Sequence, residues 1–142
     1  MIIEKEGKLC NCGNFGCFEK YASMKAFKDE FRKEFKLDEN TSGKDIINII
    51  RKEKIENPSN YKKIERLIKN YTEDLAIGMS NLINIFEPEA IGIGGSFIYF
   101  EDIFLNELKK RIQDGKLFNP RKEVIIEMAT LENDAGIIGA TI

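Results

Sequence analysis

Leu9-Cys10-Asn11-Cys12-Gly13-Asn14-Phe15-Gly16-Cys17-Phe18-Glu19-Lys20-Tyr21 places all three cysteines of a 142-residue chain within eight residues. Cys10 and Cys12 are two apart and Cys17 follows five later, with Gly13 and Gly16 between them. Glycine lets the backbone turn tightly enough to aim three sulfurs at one point. Thiolates gathered this closely point to a metal, and zinc suits them. Zinc takes four ligands in a tetrahedron, so three cysteines leave one position open, and histidine, the usual fourth ligand, is absent from the chain. The competing reading is three free thiols behaving as small hydrophobes. An odd cysteine count, and a separation of two residues that suits a disulfide poorly, favour the metal.

Upstream of this stretch, Met1 to Cys10 reads as a short strand or extended arm turning at Glu6-Gly7-Lys8. Downstream, Phe18, Tyr21, Met24, Phe27, Phe31 and Phe35 recur every three to four residues and predict one helix leading directly out of the cysteine knuckle. After a polar break at 38–43, Thr41 or Ser42 is placed to cap a second helix carrying Ile46, Ile47, Ile49, Ile50 and Ile55. Pro58 ends it, since proline lacks an N–H and restricts the residue before it.

A long helix from about Tyr61 to Phe86 follows, with Ile64, Leu67, Ile68, Tyr71, Leu75, Gly78, Met79, Leu82 and Ile85 on its stripe. A glycine inside a helix costs roughly 1 kcal/mol relative to alanine, so Gly78 signals close packing against another element. Ala90-Ile91-Gly92-Ile93-Gly94-Gly95 reads as a buried strand with a glycine turn. A helix over about 97–113, with Ile103, Phe104, Leu108 and Ile112 buried, and a strand over 123–129, with Val124, Ile126 and Met128 on one face, come next. The 133–140 segment starts a last helix. This order predicts an α/β layer architecture with few strands.

Composition sets outer limits. Hydrophobic residues make up 42% and charged residues 32%, which is ordinary for a folded domain and argues against disorder. The net charge is −2, with Lys and Glu interspersed, so neither nucleic acid nor an anionic membrane is expected as a direct partner. The amino-terminal residues lack a signal-peptide layout and no apolar run spans a membrane, which makes the cytoplasm the expected compartment.

The pattern Cys10-x-Cys12-Gly13-x-x-Gly16-Cys17-x-Glu19 resembles the signature of the ROK family of bacterial sugar kinases and sugar-responsive repressors. Residues 81–91 with Gly94-Gly95, and Asp134 to Ala140, are similar to later motifs of that family. The resemblance implies the actin-like ATPase (ribonuclease H-like) fold, with 1–142 supplying a single partial domain, the C-terminal lobe. Within it fall a zinc knuckle over 7–19, a helical region over 17–86 and a nucleotide-side α/β part over 90–142.

By the same resemblance, Cys10, Cys12 and Cys17 hold a structural Zn²⁺. Its fourth ligand, a histidine ten residues before the first cysteine, is expected just ahead of Met1. Glu19 accepts hydrogen bonds from sugar hydroxyls, although a carboxylate there also suits a helix N-terminus by itself. Gly94, Gly95 and Ser96 approach the adenosine end of ATP, although a glycine turn closing a strand is more often only a turn.

Phosphoryl transfer needs a general base and Mg²⁺-held phosphates. In ROK kinases the base is an aspartate of the N-terminal half. Asp114 reads instead as a helix-ending turn, and Asp134 belongs to the C-terminal motif. The expectation is therefore a piece of an ATP-dependent kinase of a hexose or N-acetylhexosamine, commonly a homodimer, with no catalytic residue in this chain. A ROK repressor that binds sugar without phosphorylating it is the alternative.

Overall fold

Ser23 divides the first predicted helix in two. Its backbone is extended (φ −73°, ψ 150°) and its hydroxyl accepts the Ala26 N–H at 3.1 Å, so it caps a new helix instead of continuing the old one. A computed structural model, which describes residues 1–114 and 123–129, thus has a one-turn α1 (Glu19–Ala22) followed by α2 (Met24–Glu34). Next come α3 (Gly43–Glu56) and α4 (Pro58–Phe86). Ser42 caps α3 in a capping box: its hydroxyl accepts from the Asp45 N–H while the Asp45 carboxylate accepts from Ser42 N–H. Pro58 opens α4, taking the first helical position, where a missing N–H costs nothing.

The chain divides into two compact units, Met1–Gly78 and Met79–Ile142, and the division falls inside α4. The first unit is built round aromatic and aliphatic side chains. Phe27 lies 5.1 Å from Tyr71 and 5.9 Å from Phe31, centroid to centroid, and Phe31 stacks on Phe35 at 4.7 Å. Ile46, Ile50, Ile64, Leu67 and Leu75 are buried with them. Tyr71 donates its hydroxyl to the Ala22 carbonyl at 2.9 Å, joining α4 to the end of α1, and burial pushes its pKa well above the usual tyrosine value.

Three expected core positions are not core. Ile55 is 82% exposed at the end of α3, and Leu82 and Ile85 are exposed on α4, where Ala76, Ser80 and Ile83 are buried instead. The buried stripe of α4 therefore changes face along its length, which a constant period cannot foretell. Gly78, by contrast, meets its expectation: a Cβ there would lie 2.2 Å from Phe18 Cε2.

In the second unit β1 (Ala90–Ile93) and β2 (Ile125–Met128) pair in parallel, Ala90 opposite Ile125 and Ile93 opposite Met128. Parallel strands need a crossover, and it is made by a 3₁₀ helix (Gly95–Phe100) running into α5 (Glu101–Gln113). The 3₁₀ turn replaces the first part of the helix predicted over 97–113. Phe97 and Phe100 are buried from that turn and lie 5.4 and 5.5 Å from Phe104, whose side chain is fully buried with Leu108. Ile126 is buried, with Val124 and Met128 less exposed than Ile125 and Glu127, as the alternation predicts. The expectation of a buried β1 is corrected: Ala90 and Gly92 are exposed and Ile91 and Ile93 only half-buried, because β2 is its sole pairing partner among the described residues. The 133–140 motif lies outside the described residues.

Candidate functional site

The knuckle is a small hairpin pinned from two sides. Gly13 N–H donates to the Cys10 carbonyl at 3.0 Å and Cys10 N–H to the Asn14 carbonyl at 2.8 Å, closing a turn that needs Gly13 at φ +87°. Leu9 and Phe15 then form an antiparallel bridge, and Gly16 N–H donates to the Lys8 carbonyl at 2.9 Å. On the other side Ile3 N–H donates to the Gly16 carbonyl at 2.9 Å, Phe18 N–H donates to the Met1 carbonyl, and Ile2 bridges to Cys17. Residues 15–17 are thus held between 1–4 and 8–10, which gives the extended arm a partner.

Glycine is required in this hairpin for space as well as for turning. Gly16 has φ +71° and a Cβ there would overlap the Glu4 carbonyl oxygen at 1.5 Å. Gly7 was expected to supply the turn itself. The turn sits instead at Lys5-Glu6, and Gly7 provides clearance: a Cβ would come within 2.1 Å of the Tyr21 hydroxyl. That hydroxyl accepts the Lys8 N–H at 2.7 Å, tying the first limb of the hairpin to the end of α1.

This scaffold brings all three sulfurs within 4.8 Å of one another. Cys12 Sγ and Cys17 Sγ are 3.5 Å apart, and Asn14 Nδ2 donates to Cys12 Sγ at 3.5 Å. Cys10 and Cys17 are buried, whereas Cys12 is exposed. The Asn14 backbone N–H, reinforced by the Cys17 and Cys10 thiols, lowers the Cys12 pKa to about 7; the hydrogen bond to Cys12, together with burial, raises that of Cys17 to about 11. Cys12 is thus the sulfur poised to be a thiolate, with the other two supporting it.

A tetrahedral ion with Zn–S bonds of about 2.3 Å sets its sulfurs roughly 3.8 Å apart. The observed spacing reaches that by small side-chain rotations, so the three cysteines fit a metal. Asn14 and Tyr21 escaped the sequence reading. Asn14 had a signal, standing beside a glycine in a tight turn; Tyr21 was assigned to the hydrophobic stripe and its hydroxyl went unused.

Glu19 opens α1 two residues past Cys17 and is exposed. Gly94, Gly95 and Ser96 lie in the second unit, at the end of β1, all three exposed. Gly95 has φ +67°; among the described residues a Cβ at Gly92 or Gly95 would meet nothing within 4 Å, and one at Gly94 would make an ordinary contact with Ala129 at 3.7 Å. This loop is open, with room for a flat ring or a phosphate against its backbone.

The family model described as "ROK family" matches residues 1–142. The chain belongs to the ROK family. It is 29% identical to a xylose repressor of Caldicellulosiruptor bescii over 96% of its length and 35% of the repressor's. To a glucokinase of Thermotoga maritima it is 27% identical over 99% of its length and 46% of that protein's. This ROK chain therefore spans about a third to a half of the length of these two relatives.

A crystal structure of a ROK glucokinase from Streptomyces griseus, solved with glucose and AMPPNP, superposes with a TM-score of 0.71 at 21% identity, covering 99% of this chain and 48% of that one. The fold is thus the actin-like ATPase fold of ROK proteins, as the sequence resemblance implied. Among the described residues, no helix of this ROK chain is long and apolar enough to cross a membrane.

Proposed function

We propose that this chain is the C-terminal part of an ATP-dependent ROK sugar kinase, acting on a hexose or N-acetylhexosamine, in which Cys10, Cys12 and Cys17 hold a structural Zn²⁺. The supporting observation is the gathering of three sulfurs within 4.8 Å immediately before the Glu19 carboxylate. Bound there, the metal supplies cross-linking of the hairpin. The chain's own residues do the rest. Gly13 and Gly16 let the sulfurs converge, and Asn14 supports Cys12. Glu19 accepts hydrogen bonds from two sugar hydroxyls, orienting the ring; a sugar lacking one of them leaves a carboxylate oxygen unpaired.

The loop at Gly94, Gly95 and Ser96 receives the adenosine end of ATP, whose phosphates bind with Mg²⁺ in the full-length protein. The general base comes from outside this chain, which by itself does not turn over. A homodimer in the cytoplasm, with no nucleic-acid or membrane contact from this segment, completes the reading. A second reading, a sugar-responsive repressor, is favoured by the match to the xylose repressor, which is as extensive as that to the glucokinase.

The test is a coupled assay of the full-length protein with ATP and a panel of hexoses. Phosphorylation, with the sugar KM raised at least about tenfold in Glu19→Gln and the ATP KM unchanged, supports the kinase. Sugar binding by calorimetry without turnover establishes the repressor instead. Zinc analysis of the purified chain should give close to one ion per chain, falling in Cys12→Ser.

A further inference from the structure

Among the three sulfurs, one pair differs from the rest in a way that metal binding does not require. Cys12 is exposed, while its neighbour in direct contact, Cys17 Sγ at 3.5 Å, is 9% exposed, and Cys10 is 6% exposed. An oxidant arriving from solvent therefore reaches Cys12 first and finds a second sulfur beside it. We propose that Cys12 and Cys17 form a reversible disulfide on exposure to a peroxide, making the knuckle an oxidation site that releases its metal.

The step balances. With hydrogen peroxide, the Cys12 sulfur attacks one oxygen, the O–O bond breaks, and Cys12 becomes a sulfenic acid while the other oxygen leaves as water with the thiol proton. The Cys17 sulfur then attacks the Cys12 sulfur, the S–O bond breaks, and a second water leaves with the Cys17 proton. Two thiols are oxidised and one peroxide is reduced.

The sulfurs must close from 3.5 Å to about 2.05 Å, a movement of side-chain size. Gly13 lies between the two cysteines without any atom within 4 Å of the place its Cβ would occupy, so the loop tip has room to adjust. Cys10 sits at the base of that tip, with its N–H bonded to the Asn14 carbonyl and its carbonyl to Gly13 N–H. Losing two sulfurs leaves Cys10 as the sole thiol ligand, too few to hold a zinc ion. The release of metal rests on the zinc reading proposed above; the disulfide does not.

Lys8 and Lys20 flank the site, so trypsin yields all three cysteines in the single peptide 9–20. The metal-free chain is treated with hydrogen peroxide, alkylated, digested and sequenced by mass spectrometry. The expected peptide lacks two hydrogens, carries its one alkyl group on Cys10, and regains all three alkylation sites after reduction. In Cys17→Ser the Cys12 sulfenic acid persists and is trapped by dimedone.

Three alkylated cysteines after peroxide treatment, or a disulfide that includes Cys10, overturn the proposal. The zinc-loaded chain is run in parallel with a chromogenic chelator. Disulfide formation slowed at least about tenfold, with zinc released as the bond appears, supports the coupling. Zinc that stays bound after the disulfide forms overturns the release. A chain that takes up no zinc yet forms the Cys12–Cys17 bond supports the oxidation site and refutes the zinc reading.

Discussion

Glycine does different work in the two units of this chain. In the hairpin of the first unit, Gly7 and Gly16 have neighbours standing where a side chain would begin, and Gly16 also has a left-handed backbone. In the second unit, Gly92 within β1 and Gly95 in the loop after it have no described atom within 4 Å of a Cβ position, and only Gly95 has a left-handed backbone. Gly7 and Gly16 are therefore consumed by the chain's own packing, which holds three sulfurs together, while Gly13 at the hairpin tip serves the turn through its φ of +87°. Gly92 and Gly95 leave clearance that the described residues do not use, which is what a site for an external group needs. A glycine in a motif is informative only once the space around it is known.

Substitutions can break that comparison, and Gly16→Ala should do so most severely. Left-handed backbone costs about 1–2 kcal/mol for alanine, and the overlap with the Glu4 carbonyl adds at least as much. We expect a loss of about 3 kcal/mol or more in urea unfolding, with zinc uptake falling alongside. Gly78→Ala comes next. A helix gains roughly 1 kcal/mol from the exchange, but a Cβ 2.2 Å from the Phe18 ring adds overpacking of about 1–3 kcal/mol. A net loss of up to about 2 kcal/mol, substantially recovered in Gly78→Ala/Phe18→Leu, is the expected result of a denaturation cycle.

Gly95→Ala should cost only about 1 kcal/mol, because strain acts there without a clash, and Gly92→Ala should stay within about 0.5 kcal/mol of the parent. A larger loss at Gly92 would mean that this face of β1 is packed after all.

A further effect concerns acid. Asp45 has a pKa held below the usual carboxylate value, chiefly by the Ser42 hydroxyl and then by its N–H. A carboxylate whose folded-state pKa is depressed contributes stability above the unfolded value and loses it as pH falls through the folded one. Ser42→Ala should therefore lower stability by about 1 kcal/mol at neutral pH and show a shallower further decline below pH 3.8 than the parent, measured by unfolding at a series of pH values.

What the sequence determined by itself was local. Three cysteines and two glycines within eight residues fixed a metal-competent knuckle, Ser42 fixed the start of α3, and Pro58 fixed the passage into α4, because each acts through bonds to residues no more than a few positions away. The same stretch carried the family signature. Tertiary structure alone decided how α4 turns its buried face from Leu75 to Ile83 while leaving Leu82 and Ile85 outside, why Gly7 must be glycine, and which sulfur pair lies at 3.5 Å. Those outcomes depend on side chains brought together from distant positions, such as Phe18 against Gly78 and Tyr21 against Gly7. A periodic pattern says which face of an element is apolar, but not what fills the space beyond it.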